Sequence, residues 1–109
     1  MIEREERVAR NEAISRDINE DLERAQGPLP GDPYARITCE CGQAGCERLI
    51  AITGSEYERV RSAPERFVVV PDHVDPAVEQ VVEQTDRFVV VAKKEGAPRE
   101  VAEATDPRA

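Results

Sequence analysis

Apolar residues are sparse over the first quarter of the chain and crowd into short runs from residue 34 onward. Between Met1 and Gln26 there is no Gly or Pro, and helix formers dominate. Ile14, Ile18 and Leu22 recur at i, i+4 and i+8 with Ala25 beside them, which predicts an α-helix carrying a narrow apolar stripe. Opposite charges four apart (Glu3–Arg7, Glu6–Arg10, Glu12–Arg16, Glu20–Arg24) suit an exposed helical surface, each pair adding about 0.2–0.5 kcal/mol. Gly27-Pro28-Leu29-Pro30-Gly31-Asp32-Pro33 then breaks every periodicity and reads as a linker over 27–33.

From there the period changes to that of strands. Tyr34–Thr38 and Arg48–Thr53 read as two strands of a hairpin. Thr53-Gly54-Ser55-Glu56 has the form of a capping box, and a short helix is expected over about Ser55–Ser62, with Tyr57 and Val60 turned inward and Pro64 near its end. Arg66–Val70 is a continuous apolar run, which implies a strand covered on both faces. The stretch 76–84 fits a helix by the spacing of Val78, Val81 and Val82. It also fits a strand paired through Thr85-Asp86-Arg87 with Phe88–Ala92. The reading favoured is a hairpin preceded by one helical turn, followed by a flexible tail over 96–109 with a helical turn near Glu100–Ala104.

Composition narrows the picture. With 109 residues, 4% aromatics and no Trp, a single domain must build its core from Val, Ile, Leu and Ala. Cores of this size are commonly stapled by a metal. A formal charge of −8 argues against nucleic acid as partner. No run is apolar enough to span a membrane and no leader pattern opens the chain, so a cytoplasmic protein is expected. Lys occurs only at 93 and 94, and this Arg bias points to a GC-rich bacterial genome.

The chemistry concentrates in Cys39-Glu40-Cys41-Gly42-Gln43-Ala44-Gly45-Cys46, which holds all three cysteines. Three thiols in one glycine-bearing turn suit a soft divalent ion, with thiolates about 2.3 Å from a common centre. Gly42 and Gly45 are expected to supply positive φ angles for the curl. The lone histidine, His73, follows the Arg66–Val70 strand and completes a Cys3His zinc set of Cys39, Cys41, Cys46 and His73. Glu40, Glu47 or water are the alternatives for the fourth place. Disulfide chemistry also stays open, with Cys39–Cys46 or Cys41–Cys46 easier to bridge than the tight Cys39–Cys41 ring. No phosphate-loop or zinc-deaminase signature is present.

Arg10-Asn11-Glu12-Ala13, the Cys-x-Cys-Gly…Cys segment, Glu56-Tyr57…Val60-Arg61, Arg66-Phe67-Val68-Val69 and His73 together resemble a group of small uncharacterised actinobacterial proteins. That group usually has Gly where this chain has Asp72. The resemblance covers most of the chain outside the linker and tail, and implies no activity.

The expected architecture is α+β. It comprises a helical arm (1–26), a linker (27–33), a zinc-stapled domain (34–95) with a small, mainly antiparallel sheet and a knuckle-like loop, and a tail (96–109). The expected function is a structural-zinc protein acting as an interaction or regulatory module. Ile14, Ile18 and Leu22 would dock a protein partner or a second copy. A zinc–thiolate redox switch is the alternative, and a small zinc enzyme the second alternative, with the balance of residues leaning away from catalysis.

Overall fold

The computed structural model describes residues 4–26 and 30–108. The start of the expected helix at Met1 and the 27–29 part of the expected linker lie outside these residues. The chain is α+β. Helix α1 runs over Arg4–Gln26, strand β1 over Tyr34–Thr38 and strand β2 over Leu49–Thr53. Helix α2 (Gly54–Val60), strand β3 (Arg66–Val69) and a 3-10 turn (Pro71–His73) follow, then strands β4 (Glu79–Gln84) and β5 (Val89–Lys93) and helix α3 (Ala97–Ala104). Among the described residues, no helix is long and apolar enough to cross a membrane.

The strands form two antiparallel sheets rather than the single small sheet expected: a β1–β2 hairpin and a three-stranded sheet in the order β3-β5-β4. The 76–84 ambiguity resolves as a strand. β4 pairs along β5, and Val82 is the extra residue where the register slips between Val81 and Glu83. Phe67 pairs with Val91 and Val68 with Val90, so by strand alternation Phe67, Val69, Val89, Val91 and Lys93 share one face and Val68 and Val90 the other. Both faces are buried, as the unbroken apolar run implied. Ile37, Ile50 and Ile52 of the hairpin, Tyr57 and Val60 of α2 and Ala102 of α3 complete the core.

Local chemistry accounts for the joints. Thr53 and Glu56 form the reciprocal capping box that starts α2. Arg87, in the β4–β5 turn, bonds the Ala51 carbonyl at 2.8 Å and clamps both Glu56 oxygens at 3.0 and 2.6 Å, tying the two sheets to α2. The segment from Gly96 on is not a frayed tail: α3 is a formed helix whose Ala102 is buried.

Helix α1 lies against the domain, and it docks through a polar face. Ile14, Ile18 and Leu22 point outward, 52%, 47% and 38% exposed. Glu12, Arg16, Asn19 and Glu20, at i, i+4, i+7 and i+8, are buried instead. The guanidinium of Arg16 donates to the carbonyls of Pro64 and Ala102 at 2.6 and 2.8 Å, and stacks 4.2 Å over the Phe67 ring. The amide of Asn19 donates to the Thr38 carbonyl and accepts from its N–H, both at 2.8 Å, as a neighbouring strand would. Glu20 accepts from Arg61 and Arg108, each at 2.8 Å. The expected Glu12–Arg16 and Glu20–Arg24 ladder is therefore replaced by long-range pairs. Charged groups are rarely buried unless they are paired, and each of these finds its partner far along the chain.

Glu12 shares the buried Lys93 ammonium with Glu79, the latter at 3.4 Å. Burial pushes the Glu12 carboxyl up from 4.5 to about 7 against the pull of Lys93, with Glu79 and Asp75 adding repulsion. The native state thus holds a proton that the unfolded chain releases near pH 4.5. The Glu12 contribution to stability should fall as pH rises from about 4.5 to about 7 and level off above. Urea unfolding across that range should show the slope in the wild type and flatten it in Glu12→Gln. Lys93→Met strands two buried carboxylates and should cost about 3–5 kcal/mol near neutral pH.

Candidate metal centre

The centre is built where the two sheets meet. Past the end of β1 the chain runs beside β3: the Glu40 N–H donates to the Val68 carbonyl at 2.8 Å, and the Cys39 N–H to Arg48 at 2.9 Å. This fixes Cys39 and Cys41, both buried, at the mouth of the hairpin. Cys46 returns to them through a turn in which its N–H donates to Gln43 at 3.2 Å. His73 arrives from the other sheet. After Val70 the 3-10 turn opens on Pro71, and the His73 N–H donates to the Val70 carbonyl at 3.0 Å. Asp72 sits in that turn without a positive φ, so nothing in its backbone requires glycine.

One ligand-capable atom each from Cys39, Cys41, Cys46 and His73 falls within 4.8 Å of the others. His73 Nδ1 is 3.7 Å from Cys39 Sγ and 3.6 Å from Cys46 Sγ. Sulfur at about 2.3 Å and nitrogen at about 2.0–2.1 Å from a tetrahedral centre lie about 3.6 Å apart, so these separations are those of tetrahedron edges. The four residues are placed for metal binding. All three cysteines are free. Burial pushes the Cys39 thiol above its usual value and the Cys41 thiol up to about 12. Bare thiolates are thus disfavoured here, and a cation is what would hold them deprotonated. The Val70 N–H, 3.3 Å from Cys39 Sγ, is already aimed at the sulfur.

Glu40 does not face the centre. Its carboxylate has no exposure and is held by Asn19 Nδ2 at 2.9 Å, Tyr57 Oη at 3.1 Å and the Val68 N–H at 3.0 Å. Burial drives its carboxyl upward. It is thereby withdrawn both as an alternative ligand and as a general base. Residue alternation explains it: with Cys39 and Cys41 turned to the centre, the residue between them turns away.

No family model matches the chain, and no curated protein or solved structure does either. The roles of the surrounding residues therefore rest on their geometry. The two glycines of the loop differ. Gly45 has φ +76°, as expected of the curl. Gly42 has no positive φ. It is needed for close approach, since a Cβ there would sit 2.7 Å from the Val8 carbonyl oxygen and 2.9 Å from its Cα. Asn11 Nδ2 donates to the Gly42 carbonyl at 3.1 Å, so α1 rests directly on the metal loop. That contact, like the buried polar face of α1, leaves no periodic apolar signal in the sequence; the one trace is the spacing of Val8, Glu12, Arg16 and Asn19.

Two alanine substitutions separate these roles. Gly45→Ala should cost about 1–2 kcal/mol of left-handed strain and leave α1 seated. Gly42→Ala meets backbone that cannot rotate away, and should cost about 1–3 kcal/mol or more. Amide hydrogen exchange should show lost protection across α1 in Gly42→Ala alone.

Proposed function

We propose that this chain is a small structural-zinc protein that acts as a protein-interaction or regulatory module, with α1 as its contact element. The observation that carries the reading is the closed donor set. Three thiols and one imidazole supply four ligands, the number that structural zinc takes, and softness of the donors favours zinc over calcium or magnesium. A catalytic zinc keeps a position open, and the withdrawal of Glu40 into the core removes a carboxylate next to the cysteines that could otherwise serve as a general base. We place the protein in a reducing compartment, the cytoplasm, where free thiols persist and clustered cysteines bind metal.

The interaction half of the reading is supported by the outward turn of Ile14, Ile18 and Leu22 while the opposite face of the helix is occupied. The redox-switch alternative draws on one feature, the partial exposure of Cys46 beside two buried thiols. Oxidation of Cys46 with a neighbour would expel the ion and open the loop.

Purified protein should hold one zinc per chain by elemental analysis, and chelation should lower its melting temperature. In the cobalt-substituted protein, His73→Ala should weaken binding and shift the thiolate-to-metal absorption. Metal-free protein that melts at the same temperature would sink the structural-zinc reading. Mild peroxide separates the alternatives: slow release fits a structural site, and fast, reversible release with a mapped disulfide fits the switch. Ile18→Asp should leave zinc content unchanged and abolish partner binding; retained binding would remove α1 as the contact element.

A further inference from the structure

The outward face of α1 is complementary to itself. Glu12, Arg16 and Asn19 define the buried side, and at about 100° per residue Ile14 lies opposite them. Within seven residues of Ile14 the exposed charges divide by sign. Arg7 and Arg10 lie seven and four residues before it, and Asp17 and Asp21 three and seven after it. We propose that the occupant of this face is a second copy of the chain, with α1 packed antiparallel on α1 about a two-fold axis through Ile14.

This rests on the reading of α1 as a contact element and names its partner. In that register Ile14 meets Ile14 of the second copy. Arg7 faces Asp21 and Arg10 faces Asp17, and each pair occurs twice because a two-fold contact is isologous. The aliphatic stem of Arg10 lies over Ile18, keeping its charged head in water. A parallel pairing would set arginine against arginine and aspartate against aspartate. Asp21 now meets Arg24 at 3.0 Å, but both side chains are more than two-thirds exposed, so that pair is held weakly and can be shared. The seam is one helix long, about 34 Å, and about 10 Å wide. It falls short of the roughly 800 Å² per partner of a standard interface, so the dimer should form at micromolar rather than nanomolar concentration.

Charge reversal on the intact protein tests the register. Sedimentation equilibrium of the wild type should show the mass rising from one chain toward two between about 10 μM and about 1 mM. Arg7→Asp/Arg10→Asp and Asp17→Arg/Asp21→Arg should each remain monomeric over that range, with zinc content and helicity unchanged. Mixed in equal amounts, the two should form a one-to-one dimer. A wild type that stays monomeric, reversed proteins that dimerise like the wild type, or a mixture that does not associate would each overturn the proposal. The contact-element reading fails separately, through Ile18→Asp and a different partner.

Discussion

A carboxylate with no contact with water lies between two cysteines that face the candidate metal centre. Glu40 cannot stay there without donors, because an unmet buried charge or carboxyl costs far more than the contacts around it return. The three donors come from three elements: Asn19 from α1, Tyr57 from α2 and the Val68 backbone from β3. Satisfying Glu40 therefore sets the first helix, the second helix and the central sheet in one arrangement, and the same act aims Cys39 and Cys41 at the centre. Displacing Val68 leaves Oε1 unmet, and displacing Asn19 or Tyr57 leaves Oε2 one donor instead of two, so the geometry of the cysteine loop and the seating of α1 depend on each other. The Gly42–Val8 approach, closed by the Asn11 bond, is a second joint of the same kind.

Docking a helix through charged residues is an unusual way to use buried surface. Ion pairs in a low-dielectric interior win little over apolar packing, because desolvation offsets most of the attraction. They do select geometry. Arg16 fits where two carbonyls and an aromatic face converge, and Glu20 fits where Arg61 and Arg108 meet. A helix slipped by one residue would bury the same charges without partners. An all-apolar face would tolerate such slippage far better. The buried Nε of Arg16 and the Oε2 of Glu79 lack partners among the described residues, which shows the fit is close but incomplete.

The elements whose causes are local were legible from the sequence. The Thr53–Glu56 cap, the Tyr34–Thr38 strand, the Phe67–Val69 run and the Thr85–Arg87 turn each depend on neighbours within a few residues, and each is present. The convergence of His73 on the cysteine loop was also legible, since a strand end was the natural place from which to deliver it. What lay hidden was long-range pairing. The same Glu and Arg letters spaced by four describe a solvated ladder or a buried stripe, and only the position of Lys93, Arg61 and Ala102 in space decides between them. The inward turn of Glu40 was hidden as well, because proximity in sequence to the cysteines says nothing about the side to which a side chain turns. The pairing of β3 with β5 was hidden too, because strand pattern does not encode which non-consecutive strands lie side by side.

The distance along the chain between α1 and its partners has a consequence for synthesis. Arg16 waits for Ala102, Glu12 for Lys93 and Glu20 for Arg108, 86, 81 and 88 residues downstream. At the usual ribosomal pace of about 5–20 residues per second, the helix spends roughly 4 to 18 seconds outside before they arrive. An apolar docking face would spend that interval exposed and sticky. A face of glutamate, arginine and asparagine spends it hydrated, and i, i+4 pairing such as Glu12 with Arg16 is open to it in the meantime. The ladder read from the sequence then describes the helix of the nascent chain, and the buried network describes what that helix exchanges it for.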